Sequence, residues 1–161
     1  MSQGSPEAHR FEYPIKDIRI GIVTARFNPE ICAALLGGAK RGLATYGIQE
    51  GQVFLDHVPG SFEIPLAALR LARSGSVDAV ICLGVVIRGD TPHFEYVCRA
   101  VTDGVLAVNL QTEVPTIFGV LTCDSEEQAR QRSGPGDDNK GVDAAHAAME
   151  MISALRKISE R

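Results

Sequence analysis

Four short apolar runs alternate with longer segments of helical periodicity along this 161-residue chain, and this alternation limits the fold more than any other feature of the sequence. The runs are predicted strands because each is rich in Val, Ile or Leu; they cover residues 18–25, 53–58, 77–87 and 116–122. The predicted helices cover residues 29–46, 61–73, 91–110, 125–132 and 140–158. Strands that alternate with helices pair in parallel, since each crossover needs a connection of helix length. The sequence therefore predicts a three-layer α/β/α fold, in which a mainly parallel four-stranded sheet carries helices on both faces.

The length and composition fit one globular domain at residues 17–161, preceded by a loose arm at residues 1–16. The net charge is −4, there is no basic block, and aromatic residues make up only 6% of the chain, so nucleic-acid binding is not expected. The arm contains no apolar signal-peptide core, and no apolar run reaches the ~18 residues of a membrane span. We therefore expect a cytoplasmic protein that does not bind membranes.

The cysteines lie far apart, without a C-x-x-C pair, and each sits in an apolar or helical context: Cys32, Cys82, Cys98 and Cys123. This spacing favours buried, reduced thiols over a disulfide framework or a metal site. Cysteine usage therefore agrees with a reducing compartment.

Ligands of an open parallel sheet bind at the carboxyl ends of the strands, so function is expected in the turns that follow the predicted strands. After the first strand comes Phe27, whose ring can lie over a flat ligand ring or pack on the next helix. That helix is predicted to have Asn28 as its cap and Pro29 as its first residue. After the second strand, Gly60 permits close approach of a ligand, and Glu63 can accept hydrogen bonds from a polar ring. Ser61 and Glu63 can equally belong to an ordinary helix start, which Ser61 would cap.

The turn after the third strand, GVVIRGDTPH at residues 84–93, is the most informative. Free backbone N–H groups around Asp90 and Thr91 suit an anion such as phosphate. His93 falls in the first turn of a helix whose predicted first position is Pro92. There the helix dipole favours the neutral imidazole that a general base requires. The alternative is that His93 is exposed or caps the helix.

The region of the fourth strand offers one aromatic residue and two cations. Phe118 lies within the strand, while Arg132 and Lys140 flank a Gly-Pro-Gly loop. Two cations beside a flexible loop can clamp a phosphate, although surface cations are more often simply solvated. His57, inside a strand, and His146, in the last helix, are interpreted as structural.

The sequence has no Walker loop, dinucleotide-binding glycine motif, G-x-S-x-G motif or metal-ligand cluster. This removes the usual support for nucleoside triphosphate use, hydride transfer and serine hydrolysis. Five segments resemble those of one family, the lumazine synthases: RFN at 26–28, GSFEIP at 60–65, GVVIRGDTPHFEYV at 84–97, FGVLT at 118–122 and NKGVDAA at 139–145. The resemblance keeps the motif order, covers residues 17–158 and implies a flavodoxin-like topology.

The resemblance implies the penultimate step of riboflavin synthesis. 5-Amino-6-(D-ribitylamino)uracil condenses with 3,4-dihydroxy-2-butanone 4-phosphate through imine formation, phosphate elimination, ring closure and dehydration, giving 6,7-dimethyl-8-ribityllumazine. No cofactor or metal takes part. Family members build the site between neighbouring subunits of a pentamer, so a homo-oligomer of pentamers is implied, with riboflavin synthase as a candidate partner. Free pentamers, paired pentamers and a sixty-subunit shell all stay open.

Matching motifs imply a role for each candidate residue. Phe27 stacks on the pyrimidine and Phe118 covers it, and the full set around the pyrimidine and ribityl chain is Phe27, Ser61, Phe62, Glu63, Val85, Val86, Ile87 and Phe118. The butanone phosphate is assigned to Asp90, Thr91, Arg132 and Lys140, with Arg132 as the counter-ion. His93 is assigned the proton transfers. Asp143 stands where many members carry Glu, which leaves its role open.

Two other classes of function stay open at this point. A flavodoxin-like protein would hold a flavin or nucleotide at the same strand ends without catalysis, and a coloured cofactor would purify with it. A shell-forming scaffold without catalysis is favoured only where His93 or Arg132 is missing, and both are present.

Overall fold

The computed structural model describes residues 10–161, which form one parallel sheet with helices on both faces. The strands are β1 (Ile20–Ala25), β2 (Val53–Val58), β3 (Ala79–Ile87) and β4 (Thr116–Cys123). The helices in this part of the chain are α1 (Pro29–Ala44), α2 (Ile64–Arg73), α3 (His93–Thr112), α4 (Glu126–Arg132) and α5 (Lys140–Ser159). All neighbouring strands are parallel, in the order β2-β1-β3-β4. The predicted α/β fold is confirmed.

The core is built around the two central strands. Every residue of β1 and the first seven residues of β3 are buried. The helices α1 and α5 pack together on one face of the sheet, and α2 and α3 pack together on the other. Burial on both faces explains why β1 and β3 read as continuous apolar runs. The edge strand β2 instead exposes the four residues from Phe54 to His57.

Several helix starts differ in detail from the sequence-based predictions. Asn28 occupies the cap position of α1, but its backbone is left-handed at φ 56° and its side chain makes no capping bond. The predicted cap was therefore wrong in its chemistry, because this residue serves to turn the chain out of β1, a conformation that Asn tolerates better than most residues. Helix α3 begins at His93, so Pro92 precedes the helix instead of opening it. Ser125 caps α4, because its hydroxyl oxygen accepts a hydrogen bond from Gln128 N–H at 3.2 Å.

Residues 10–17 lie against the end of α1 and against α5. The ring of Phe11 meets that of Tyr46 edge-on at 6.5 Å, and the hydroxyl of Tyr13 donates to Glu160 at 3.2 Å. The remainder of the predicted arm, residues 1–9, lies outside the described residues. No helix between residues 10 and 161 is both long and apolar enough to cross a membrane.

Candidate functional site

One cavity of about 580 Å³ opens at the carboxyl edge of the sheet. It collects three separate segments of the chain, and its lining residues are Phe27, Asn28, Gly60, Ser61, Phe62, Glu63, Val85, Val86, Ile87, His93 and Val97. Every residue predicted to surround the pyrimidine is among them, with the exception of Phe118. His93 lies in the same wall.

The register of β1 and β2 places Phe27 beside the turn that follows β2. The two strands end together, with Ala25 opposite Val58. The pairing continues past the strands, because Phe27 N–H donates to Pro59 O at 3.1 Å. The side chains of Phe27 and Phe62 are 73% and 61% exposed, so two unburied rings stand at the mouth of the cavity.

Ser61 fastens the turn after β2 to the end of β3. It begins a short 3-10 helix, Ser61–Glu63, and its hydroxyl donates to Val85 O at 3.4 Å. The predicted capping role of Ser61 was therefore wrong, since the hydroxyl bonds across to another strand instead of to its own helix. Glu63 completes the turn, because its Oε2 accepts a hydrogen bond from Gly60 N–H at 3.0 Å.

His93 opens α3 at the edge of the cavity. Its backbone N–H donates to Thr91 Oγ1 at 3.4 Å, and Pro92, at the cap position of α3, provides no side-chain cap. The imidazole is exposed and faces the cavity. His93 thus joins the apolar cavity to the turn at residues 89–91, whose residues are all exposed.

Arg88 connects three segments around this turn. Its Nε donates to Asp124 Oδ1 at 2.8 Å, its Nη1 pairs with Glu95 Oε1, and its guanidinium carbon lies 4.3 Å from the centre of the Phe94 ring. The hydrogen bonds to Asp124 and Glu95 raise the pKa of Arg88, and the Arg88 hydrogen bond holds the pKa of Glu95 below its usual value. The backbone N–H of Arg88 also donates to Cys123 O at 2.9 Å.

The four residues assigned to the phosphate lie outside the cavity lining. Asp90 and Thr91 are in the exposed turn beside His93, outside the cavity lining. Arg132 ends α4 and donates to Gln128 O at 3.2 Å. Lys140 opens α5 and pairs with Asp143 at 2.8 Å. A single chain thus brings His93 together with most of the pyrimidine set, and leaves both cations and Phe118 out of the cavity.

Sequence reasoning missed several residues of this region. Val97 lines the cavity because it follows His93 by one helical turn, a spacing that could have been recognised. The sequence predicts Asn28 only as a helix cap, yet it also borders the cavity. Gly60, where the sequence predicts close approach of a ligand, lies in the cavity lining. Arg88 was read only as part of a turn, because its partners at positions 95 and 124 are far apart in sequence.

The thiols are free and take no part in the cavity lining. Burial raises the pKa of Cys82 to about 12 and that of Cys32 to about 11, so neither is a nucleophile near neutral pH. Cys123 is also buried, whereas Cys98 is half-buried on α3. The predicted burial is confirmed for Cys32, Cys82 and Cys123.

Comparison with known proteins gives one consistent answer. A family model described as 6,7-dimethyl-8-ribityllumazine synthase matches residues 17–156. A protein named 6,7-dimethyl-8-ribityllumazine synthase from Salinibacter ruber (strain DSM 13855 / M31) is 49% identical over 140 residues, which cover 87% of this chain and 90% of that relative. The matched region includes the whole cavity as well as Arg132 and Lys140.

Proposed function

Because the chain belongs to the 6,7-dimethyl-8-ribityllumazine synthase family, we propose that its catalytic site is the cavity at the carboxyl edge of the sheet. The protein condenses 5-amino-6-(D-ribitylamino)uracil with 3,4-dihydroxy-2-butanone 4-phosphate and releases phosphate and water. The observation that carries the site assignment is the meeting of Phe27, Glu63 and His93 in one cavity. The family match disfavours the alternative of a non-catalytic flavin or nucleotide binder.

The pyrimidine substrate fits the apolar part of the cavity. A volume of about 580 Å³ lies within the roughly 300–1,000 Å³ of small-molecule sites. Phe27 stacks on the flat ring, and Glu63 accepts hydrogen bonds from its N–H groups. Residues 85–87 line the remaining wall, together with Ser61 and Phe62.

The butanone phosphate belongs at the turn before α3. The backbone N–H groups around Asp90 and Thr91 stand at the positive end of a 20-residue helix, which attracts a phosphate. Arg132 supplies the counter-ion, with Lys140 beside it. A leaving phosphate is stabilised by such donors as its charge develops.

His93 carries the proton transfers because it stands between these two regions. The 5-amino group attacks the ketone, and loss of water gives the imine. Removal of a proton from the neighbouring, hydroxyl-bearing carbon then expels phosphate and leaves an enol. The enol becomes a ketone as its hydroxyl proton is lost and the terminal carbon gains a proton, and the ribitylamino nitrogen attacks this ketone and closes the ring with loss of a second water. The imidazole can accept the carbon-bound proton and return one to a departing hydroxyl.

A neighbouring subunit supplies the missing part of the site. Phe118, Arg132 and Lys140 lie outside the cavity of their own chain, and Phe118 is 44% exposed on the edge strand β4. Helix α3 also exposes the large apolar side chains of Leu106 and Leu110. We assign these surfaces to contacts within a homo-oligomer built from pentamers, in which each site draws on two subunits.

Subunit mixing tests this arrangement. His93→Ala and Arg132→Ala chains, each impaired alone, are co-expressed with different tags and purified as mixed oligomers. About a quarter of the sites would pair an intact His93 with an intact Arg132 across the interface, so turnover should recover to about that fraction of the wild-type level. Failure of mixed oligomers to recover activity would show that both residues serve the site of their own chain.

The activity itself is tested with the purified protein and both substrates. We expect a product with the absorbance and fluorescence of the lumazine, formed at the same rate in a chelator. A rate abolished by chelation contradicts the metal-free route. A protein that instead purifies with a coloured cofactor and gives no product is the binding protein of the alternative.

The proposal also covers the cellular location, the protein partner and the domain limits of the enzyme. Its free thiols, three of them buried, support a cytoplasmic location. Riboflavin synthase is a candidate partner because it uses the lumazine product. Residues 17–161 form the catalytic domain, and residues 1–16 the arm that precedes it.

A further inference from the structure

We propose that Arg88 is a positioning residue, which holds the butanone-phosphate turn and His93 in the arrangement that elimination requires. This inference rests on the proposed function of the turn. Arg88 does not contact substrate. Its side chain acts by holding the backbone of the turn in place.

The contacts of Arg88 fix both ends of the turn. The residue itself begins the turn directly after β3, and its side chain reaches Glu95 and Phe94 in the first turn of α3. A third contact, to Asp124, lies just beyond the end of β4. One guanidinium therefore ties the ends of two strands to the start of the helix that carries His93.

The turn has little else to hold it. Residues 89–91 are exposed, and a Cβ on Gly89 would meet nothing within 4 Å. Three other described hydrogen bonds involve this stretch: Arg88 N–H donates to Cys123 O at 2.9 Å, His93 N–H to Thr91 Oγ1 at 3.4 Å, and Glu95 N–H to Pro92 O at 3.0 Å. The first fixes only the residue at which the turn begins and the other two are local, so none of them ties the start of α3 to the sheet.

The charges around the turn give Arg88 a second effect. Glu95, Asp124 and Asp90 place three carboxylates near the expected position of a phosphate. Arg88 pairs with two of them, at Glu95 and Asp124, and so removes much of the repulsion that a phosphate would otherwise meet. Loss of Arg88 should therefore act on the butanone phosphate and not on the pyrimidine.

Arg156 offers a matched control. Its guanidinium carbon lies 5.1 Å from the centre of the Tyr13 ring, and its Nη2 lies 3.6 Å from Asp78 Oδ1. The side chain is half-exposed, as is that of Arg88. Arg156 thus combines an aromatic contact with a carboxylate pair, but at the opposite edge of the sheet.

The experiment compares Arg88→Met, Arg88→Lys and Arg156→Met in steady-state kinetics, with each substrate varied in turn and inorganic phosphate as inhibitor. Arg88→Met should lower kcat/KM for the butanone phosphate by roughly 10- to 100-fold, since small misplacements of reacting groups carry costs of this size. Inhibition by phosphate should weaken, and pyrimidine binding by direct titration should stay within about two-fold. Arg88→Lys should recover part of the loss, because it keeps the charge without the planar fork. Arg156→Met should match the wild type.

The possible results distinguish a failure of the role proposed for Arg88 from a failure of the proposed function. A wild-type protein that forms no lumazine overturns the proposed function. An active wild type whose Arg88→Met variant matches Arg156→Met, or weakens both substrates equally, overturns only the role of Arg88. If Arg88→Met does not fold, Arg88→Lys decides, because it keeps the positive charge and lacks the planar fork that reaches both Glu95 and Asp124. A selective loss for the butanone phosphate then supports the proposal, and unchanged kinetics overturn it.

Discussion

A Cβ atom on Gly84 would lie only 2.7 Å from the hydroxyl oxygen of Ser61. The missing side chain at position 84 therefore allows the turn after β2 to close against β3. Ser61 is 6% exposed and uses this closeness to donate to Val85 O. The back wall of the cavity depends on this contact between a glycine and a serine.

Gly84→Ala should consequently push the turn away from β3. Overpacking of this kind costs about 1–3 kcal/mol in the free energy of unfolding. The same displacement should raise KM for the pyrimidine more than KM for the butanone phosphate. Urea unfolding and steady-state kinetics measure the two effects. Gly51→Ala is the control, because a Cβ there would meet nothing within 4 Å; equal behaviour of the two variants would refute the packing argument.

The fold followed from the sequence because its strongest signals come from burial. β1 and β3 are covered on both faces, which requires the uninterrupted apolar residues that mark them as strands. The start of α5 at Lys140 also followed from the sequence, but the contact that fixes the helix against α1 did not. Asn139 accepts from Gly141 N–H at 2.7 Å and donates to Ala34 O at 3.1 Å, so the cap also joins α5 to α1. Such a contact between distant residues leaves no periodic trace.

Part of the candidate site could likewise be predicted from the sequence, and part could not. Phe27, Glu63 and His93 follow three strands whose carboxyl ends meet, so their proximity could be expected from the order of elements alone. Arg88 could not be assigned, because its role depends on where Glu95 and Asp124 lie in space. The partner of the Ser61 hydroxyl likewise depends on the gap left by Gly84, which only the packed structure defines.

His93→Ala should lower kcat by roughly 10²-fold, the lower end of the range for general acid–base groups. Water and buffer can replace part of its role, since imine chemistry has an appreciable uncatalysed rate. Pyrimidine binding should survive, because the ring contacts other walls of the cavity. His57→Ala is the control, as His57 lies on the edge strand β2 outside the cavity. Wild-type turnover in His93→Ala would leave His93 with a structural role only.

The four thiols should differ in reactivity towards a disulfide reagent near pH 8. Thiolates react, and burial raises the pKa of Cys82 to about 12 and that of Cys32 to about 11, so both should react only after unfolding. The half-buried Cys98 should react first. Cys98→Ser should therefore remove the fast phase; a fast phase that persists would mean that a buried cysteine is accessible.

The pKa of Glu95 should report directly on the Arg88 contact. The Arg88 hydrogen bond holds this pKa below its usual value in the folded protein. A lowered carboxyl pKa contributes stability above the unfolded value, and this contribution is lost as the pH falls through the folded value. NMR titration should show the pKa of Glu95 rising in Arg88→Met and unchanged in Arg156→Met. An unchanged value in both variants would mean that the ion pair does not persist in solution.

Arg132 should act on the butanone phosphate and leave the pyrimidine alone. The residue ends α4 beside a loop and outside the pyrimidine cavity, and its guanidinium makes one described hydrogen bond, to Gln128 O. A lost charge-assisted contact costs about 1.5–3 kcal/mol, or roughly 10- to 100-fold in affinity, so Arg132→Ala should raise KM for the butanone phosphate by that factor. Arg132→Lys should recover only part, because a lysine lacks the bidentate fork. Inorganic phosphate should compete with the butanone phosphate in the wild type and much less in Arg132→Ala. A variant that weakens the pyrimidine and spares the phosphate substrate would exclude Arg132 as the counter-ion.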